Sequence, residues 1–135
     1  MFLTKVLVVD DEKDITRAIA KRLRFSGYQV STAGDGDEAL RLALDESPDV
    51  VIMDIGLPEQ DGHQIAQHLF TMSETMSTPI IFLTARIAEE DRTRAYQLGA
   101  VAYLTKPFQS YELLSAVSRA AATSRQMRSV EGLHH

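Results

Sequence analysis

The sequence predicts an α/β fold built on a doubly wound parallel sheet. Short apolar runs rich in β-branched residues alternate five times with amphipathic segments of helical period. The first run, residues 5–10, is apolar between its ends, as in a strand that helices cover on both faces. The chain has 135 residues, the length of one domain. Five strand and helix units in succession imply parallel strands joined by right-handed crossovers, with helices on both faces of the sheet.

Each later strand and each helix follows from a local pattern. The later strands are predicted over residues 28–33, 50–53, 79–83 and 101–104. The helices are predicted over residues 14–26, 37–46 and 89–98, after Asp61, and from Ser110 onward. Gly27 and Gly99 follow the first and fourth helices at positions typical of helix C-termini.

Apolar residues at helical spacing predict which helix faces pack on the sheet. The first helix is expected to bury Ile15, Ala18, Ile19 and Leu23. The second is expected to bury Ala39, Leu40, Ala43 and Leu44, and the third Ile65, Ala66, Leu69 and Phe70.

The composition excludes several classes of function. The chain has no cysteine, which excludes disulfides, thiolate metal sites and cysteine nucleophiles. Its 19 acidic and 14 basic residues give a net charge of −5, which argues against direct binding to nucleic acid or anionic membranes. No segment approaches the roughly 20 apolar residues of a membrane span, and the N-terminus lacks a signal-peptide pattern. We therefore expect a cytoplasmic protein.

One domain is predicted over residues 1–122, because no linker, repeat or low-complexity tract interrupts the alternation there. Over residues 123–135 the apolar period fades, and we expect a helical extension or a linker toward an output domain. Residues 132–135 are similar to the remnant of an expression tag.

Charged and hydroxyl side chains follow four of the predicted strands at the point where each strand ends. These residues are Asp10 with Asp11, Asp54, Thr84 and Lys106. Ligands of doubly wound sheets bind outside the carboxyl ends of the strands. We therefore expect three carboxylates, one hydroxyl and one ammonium to converge on one edge of the sheet.

An aspartate after a strand often only caps the next helix, and we assign that role to Asp35, Asp37 and Asp61. The three acids at the strand ends would repel one another strongly without a cation, and Mg²⁺ suits a few carboxylates together with phosphate oxygens. Once their charge is screened, one carboxylate can accept a phosphoryl group as an acyl phosphate, while an ammonium and a hydroxyl hold the transferred oxygens. Asp54, on the central strand, is the best candidate for this nucleophile.

Five short motifs, in this order and at these intervals, resemble the receiver domain of two-component response regulators. They occupy residues 8–12, 52–54, 57–62, 83–85 and 103–108. Each motif alone is weakly specific, but the set is highly specific, and the resemblance covers residues 1–122. It implies a flavodoxin-like, CheY-like sheet in the strand order 2-1-3-4-5, flanked by five helices.

The resemblance implies that Asp54 is the phosphoacceptor. Asp11, Asp54 and the backbone carbonyl of Gly56 would bind Mg²⁺ directly, and Asp10 would assist through the metal or its waters. Gly56 and Arg86 occupy positions that vary in the family and influence the lifetime of the phosphoryl group. Gly56 has no side chain to orient an attacking water, and Arg86 either shields the phosphoryl group or is merely solvated. We therefore expect slow self-dephosphorylation.

The resemblance also assigns a switch. Lys106 would pair with the phosphoryl group, and the Thr84 hydroxyl would turn toward a phosphoryl oxygen on activation. Tyr103 would rotate inward in step with Thr84 and carry the change to the surface of the fourth helix, fifth strand and fifth helix. The peptide bond between Lys106 and Pro107 is expected to be cis, which proline makes accessible.

The implied function is a phosphorylation-activated signalling switch, not a metabolic enzyme, since the protein would catalyse only its own phosphorylation and dephosphorylation. The implied partners are a histidine kinase or histidine phosphotransfer protein and a downstream output domain or protein. Direct contact with nucleic acid or membrane is not expected. A homodimer through the surface of the fourth helix, fifth strand and fifth helix stays open.

Three alternatives remain at this point. A Mg²⁺-dependent phosphohydrolase with an aspartyl-phosphate intermediate usually needs a second acid two residues after the nucleophile, where this chain has Gly56. A flavin or nucleotide-binding module would need a glycine-rich turn after the first strand, where this chain is acidic. A non-phosphorylated pseudo-receiver would make protein contacts only, and the filled reactive positions argue against it.

Overall fold

The computed structural model describes residues 3–57 and 60–133, with side chains described as far as residue 124. The strands are β1 (Lys5–Val9), β2 (Gln29–Ala33), β3 (Val50–Met53), β4 (Ile80–Thr84) and β5 (Ala102–Thr105). The helices are α1 (Lys13–Phe25), α2 (Gly36–Glu46), α3 (Gly62–Thr71), α4 (Glu89–Leu98) and α5 (Ser110–Leu133). Residues 58–59 of the motif at 57–62, and the final two histidines of the possible tag remnant, lie outside the described residues.

All five strands are parallel and hydrogen-bonded in the order β2-β1-β3-β4-β5. This confirms the predicted fold class. The central strand β3 is buried along its whole length, which explains why it is a continuous apolar run. Within the described part of the chain, no helix combines the length and apolarity that crossing a bilayer requires.

Two apolar cores sandwich the sheet. Leu7 and Val9 of β1 pack with the core that includes α2, α3 and α4. Val6 and Val8, which alternate with them along the strand, pack with the core that includes α1 and α5. The carboxyl ends of the five parallel strands therefore lie along one edge of the sheet, between the two helical layers.

The predicted helix faces were wrong at two positions. Ala18 is exposed and Leu44 is 45% exposed. The buried residues of α1 are Thr16, Ile19, Ala20 and Leu23. This set has the i, i+3, i+4, i+7 spacing of one helical stripe, and Ala18 lies beyond its border. The apolar pattern alone did not place Thr16 inside.

Helix termini follow the predicted chemistry with one correction. Asp35 caps α2 by accepting the Glu38 N–H at 2.8 Å, and Asp61 caps α3 by accepting the His63 N–H at 2.8 Å. Asp37 lies within the first turn of α2 and is not its cap. An acidic side chain there still interacts favourably with the helix dipole. α5 continues past residue 122, and the predicted domain boundary at that residue stays a prediction.

Candidate functional site

Two aspartates lie side by side where β1 and β3 end. Val9 pairs with Met53 in the parallel register, and the Asp54 N–H donates to the Val9 carbonyl at 2.9 Å. Asp10 and Asp54 are the residues that follow, and both are buried. The register of the two central strands therefore places two carboxyl groups at the predicted edge.

Lys106 follows β5, and its ammonium lies among three carboxylates. Its Nζ is 2.7 Å from Asp10 Oδ2, 3.1 Å from Asp54 Oδ2 and 3.2 Å from Glu12 Oε1. The Lys106 side chain is only 10% exposed. The peptide bond between Lys106 and Pro107 is cis. The ammonium is thus nearly enclosed and pairs with acids from two different strand ends.

Burial and ion pairing act against each other at this cluster. Burial raises the pKa of Asp10 above its ordinary value, although hydrogen bonds from Lys106 and from the Glu12 N–H oppose the shift. Burial lowers the pKa of Lys106, but hydrogen bonds to Asp10 and Asp54 outweigh it, so that the net shift of this pKa is upward. Lys106 is therefore a firmly charged ammonium at neutral pH.

The acidic residues at this edge have the donor chemistry of a magnesium site. Asp10, Glu12 and Asp54 each offer a carboxylate oxygen, and these oxygens all lie within 4.8 Å of one another. Mg²⁺ prefers oxygen ligands and needs only a few carboxylates because it retains several waters. The residues present therefore fit the ion. The sequence did not predict that Glu12 belongs to this group. An acidic residue two positions after Asp10, just before a helix, is equally typical of a helix N-terminus.

Two predicted metal ligands lie beside this group. Asp11 is exposed, and it is not one of the acids that group together within the described residues. The Gly56 N–H donates to Asp54 Oδ1 at 3.0 Å, and a Cβ at Gly56 would lie 3.9 Å from Arg86 Nε. The direct coordination expected of Asp11 and of the Gly56 carbonyl stays a prediction.

Thr84 and Tyr103 meet at the backbone of Arg86. The Arg86 N–H donates to Thr84 Oγ1 at 3.2 Å, and the Tyr103 hydroxyl donates to the Arg86 carbonyl at 3.0 Å. Thr84 is buried, and Tyr103 lies inward with its ring 6.3 Å from that of Phe82. One residue thus links the end of β4 to the side chain predicted to act as a switch.

The Arg86 side chain bridges two helices. Its Nη1 lies 3.5 Å from Asp61 Oδ2 at the start of α3 and 3.5 Å from Asp91 Oδ1 in the first turn of α4. Asp61 therefore does more than cap α3, which corrects its predicted role. Arg86 is 43% exposed, so these pairs are solvated, but they hold its guanidinium close to the acidic edge.

His63 is a buried polar residue that the sequence did not signal. It lies in the first turn of α3, and its Nε2 is 3.0 Å from the Asp91 carbonyl oxygen. Its ring also packs 5.4 Å from that of Phe82. His63 thus connects α3 to α4 and β4, and its partner Asp91 is also one of the two acids that pair with Arg86.

Comparison with known proteins agrees with this geometry. The chain matches the response regulator receiver domain over residues 6–118. It is 40% identical over 133 residues to the alkaline phosphatase synthesis transcriptional regulatory protein PhoP of Bacillus subtilis, a match that covers 94% of this chain and 55% of that protein. It is 41% identical over 113 residues to the transcriptional regulatory protein PrrA of Mycobacterium tuberculosis, covering 84% of this chain and 48% of that protein.

Solved structures give the same result. The structure of the chemotaxis response regulator CheY4 of Vibrio cholerae matches with a TM-score of 0.82 at 34% identity, covering 88% of this chain and 99% of that chain. The chain spans about half the length of the curated relatives it matches. From the sheet order, the acidic edge and these matches, this chain belongs to the response regulator receiver domain family.

Proposed function

We propose that this receiver domain accepts a phosphoryl group on Asp54 from a histidine kinase or histidine phosphotransfer protein, in a Mg²⁺-dependent reaction. The observation that carries the proposal is the Lys106 ammonium held between Asp10 and Asp54 at 2.7 and 3.1 Å. A buried carboxylate beside a fixed cation is suited to receive a group that brings negative charge with it.

The transfer needs little from the protein except position and charge. An Asp54 oxygen attacks the phosphorus of a phosphohistidine, and an O–P bond forms as the N–P bond breaks. The imidazole nitrogen keeps the electron pair of the broken bond and takes up a proton. Lys106 would stabilise negative charge on the transferred oxygens. Thr84 ends the neighbouring strand β4, and its hydroxyl would turn on activation to donate to one of these oxygens.

The proposed metal site comprises Asp10, Glu12 and Asp54, with Asp11 and the Gly56 carbonyl as further candidates. Bound Mg²⁺ would screen the carboxylates and polarise the phosphoryl oxygens. Lys106 supplies part of that neutralisation from the protein itself, because it pairs with the same three acids.

The proposed output runs from the phosphoryl group through Thr84, the Arg86 backbone and Tyr103 to the surface of α4, β5 and α5. We propose this surface as the contact for an output domain or protein, and as the site of any homodimer. Among the side chains described, as far as residue 124, the exposed apolar ones on this surface are Tyr96 of α4, Tyr111 of α5 and Val101 just before β5. Leu113 and Val117 of α5 are core residues and do not contribute.

The test is to incubate the chain with Mg²⁺ and a small-molecule phosphodonor and to follow its intact mass. We expect a phosphoryl adduct that requires Mg²⁺ and disappears in Asp54→Asn. Asp37→Asn, which removes an exposed acid from α2, is the matched control and should keep the adduct. An adduct that survives Asp54→Asn, or none at all in the wild-type chain, would overturn the mechanism.

A further inference from the structure

His63 is a fully buried histidine that lies among charged groups from three segments of the chain. The start of α3 contributes the Asp61 carboxylate, and α4 contributes Asp91. The segment between β4 and α4 contributes Arg86, which pairs with both acids. β4 contributes the uncharged ring of Phe82. Since histidine is the side chain that ordinarily changes its charge between pH 5 and 8, its place in this group links the ion pairs to pH.

The contacts of the His63 ring define its tautomer. Nε2 lies 3.0 Å from the Asp91 carbonyl oxygen, and because a carbonyl oxygen only accepts, Nε2 carries the ring proton. Nδ1 therefore holds a lone pair, and Asp61 Oδ1 lies 3.0 Å from it. No atom of the described residues forms a hydrogen bond with Nδ1. A buried lone pair thus faces a carboxylate oxygen, and a proton added to Nδ1 would turn this repulsion into attraction.

Asp61 connects this buried ring to solvent and to Arg86. The Asp61 side chain is 30% exposed, although the His63 side chain beside it is fully buried. One carboxylate oxygen, Oδ1, is the atom next to Nδ1, and the other, Oδ2, lies 3.5 Å from Arg86 Nη1. A single carboxylate is therefore shared between the histidine and the arginine, and it gives solvent protons a route to Nδ1.

We propose that His63 is a proton-linked positioning residue, which acts on Arg86 through Asp61. A solvent proton binds the lone pair of Nδ1, and the resulting imidazolium pairs with the Asp61 carboxylate. The new positive charge weakens the attraction between Asp61 and the guanidinium, so that Arg86 is released from α3. The link between His63 and Arg86 stands on the geometry alone, and its consequence for the phosphoryl group rests on the proposed function.

Arg86 lies close enough to the acidic edge for its release to affect Asp54. A Cβ at Gly56 would lie 3.9 Å from Arg86 Nε, and the Gly56 N–H donates to Asp54 Oδ1. A phosphoryl group on Asp54 adds negative charge there, which attracts the released guanidinium. Acid should therefore favour the shielded phosphoryl group. Solvated ion pairs change an equilibrium by about fivefold at most, so we expect an effect of about two- to fivefold.

The first test follows the unphosphorylated full chain without Mg²⁺ by nuclear magnetic resonance between pH 5 and 8. The ring signals of His63 should titrate in this range, and the Nε–H signal of Arg86 should shift with the same midpoint. His63→Gln keeps a donor for the Asp91 carbonyl but does not titrate, so in this variant the Arg86 signal should stay still. His68→Gln is the matched control, since His68 is an exposed histidine of the same helix.

Asp61→Asn is a second variant, and it leaves the His63 ring intact. Asparagine caps a helix about as well as aspartate, but its amide carries no charge to share between His63 and Arg86. The Arg86 signal should therefore no longer follow the pH in this variant. The inference is overturned if the wild-type Arg86 signal stays still while His63 titrates, if it follows the pH equally in His63→Gln, or if His63 does not titrate between pH 5 and 8.

The second test measures the lifetime of the phosphoryl group by intact mass after the donor is removed, at pH 5 and at pH 8. The ratio of the two lifetimes cancels differences between variants that do not depend on pH. This ratio, acid over alkaline, should be about two- to fivefold larger in the wild-type chain and in His68→Gln than in His63→Gln or Arg86→Ala. Equal ratios in the wild-type chain and His63→Gln would overturn the inference. A chain that accepts no phosphoryl group contradicts the proposed function instead, and the resonance titration then decides the role of His63.

Discussion

Gly62 packs against the backbone that carries Asp54, and its substitution tests whether this close contact holds the site in place. It is the first residue of α3, and its N–H donates to the Ile55 carbonyl at 2.8 Å. A Cβ at this position would lie 2.4 Å from the Asp54 carbonyl oxygen and 2.7 Å from Ile55 Cα. Gly62→Ala therefore presses directly on the backbone that carries the proposed phosphoacceptor.

The cost follows from these distances. Ordinary contact begins near 3.4 Å, so the backbone after β3 and the start of α3 must separate by roughly 1 Å. Overpacking of this kind costs about 1–3 kcal/mol, and weakening the Gly62 hydrogen bond adds about 1 kcal/mol. Alanine recovers up to about 1 kcal/mol of helix propensity. We expect a net loss of about 2 kcal/mol, or roughly 5–10 °C in the unfolding midpoint.

The assay is urea unfolding followed by circular dichroism, with Gly34→Ala as control. A Cβ at Gly34 meets nothing within 4 Å, so that variant should stay within about 0.5 kcal/mol of wild type. Under conditions where Gly62→Ala remains folded, it should also accept phosphate more slowly, because Asp54 is displaced. The reasoning is refuted if the two alanine variants have equal stability.

Three further predictions follow from the same contacts. Asp10→Asn should stabilise the metal-free chain at pH 7, because burial raises the pKa of Asp10 and so penalises its charged form. The gain in the free energy of unfolding should vanish as the pH falls through that raised pKa toward 3.8. A loss of stability at pH 7 in urea titrations would contradict this prediction. Arg86→Ala, which removes the side chain that would shield the phosphoryl group, and Gly56→Asn, which adds a side chain that can orient an attacking water, should each shorten the lifetime of the phosphoryl group, followed by intact mass after donor removal. A wild-type chain that dephosphorylates no more slowly than either variant would count against slow self-dephosphorylation. Tyr103→Phe should cost about 1 kcal/mol by removing the hydroxyl that donates to the Arg86 carbonyl, and an unchanged midpoint of unfolding would mean that this hydrogen bond adds nothing.

The strand ends could be predicted from the sequence because they depend on local patterns. Each strand is a short apolar run, and parallel strands bring their carboxyl ends to one edge of the sheet. The observed register, with Val9 beside Met53, then places Asp10 beside Asp54. Lys106 and Thr84 belong to the same edge for the same reason. The fold class and the position of the proposed site therefore follow from hydrophobic pattern and topology.

The rest depends on side-chain direction and on packing between distant elements. Glu12 belongs to the acidic group because its side chain turns back toward Lys106, which no spacing rule specifies. His63 and Asp91 meet only once α3 packs beside α4, and Arg86 reaches Asp61 for the same reason. Ala18 fits a helical apolar period, yet the buried stripe of α1 is completed by Thr16, whose hydroxyl donates to the Asp10 carbonyl at 3.2 Å.

The central claim is that Asp54 carries the phosphoryl group, and its most direct test is to identify the modified residue. Borohydride reduces an acyl phosphate of aspartate to homoserine, so the phosphorylated chain is reduced, digested and mapped by mass spectrometry. We predict homoserine at position 54, in a peptide that is unmodified when Mg²⁺ is withheld. Homoserine at Asp10 or Asp11 with an unmodified Asp54 would contradict the account.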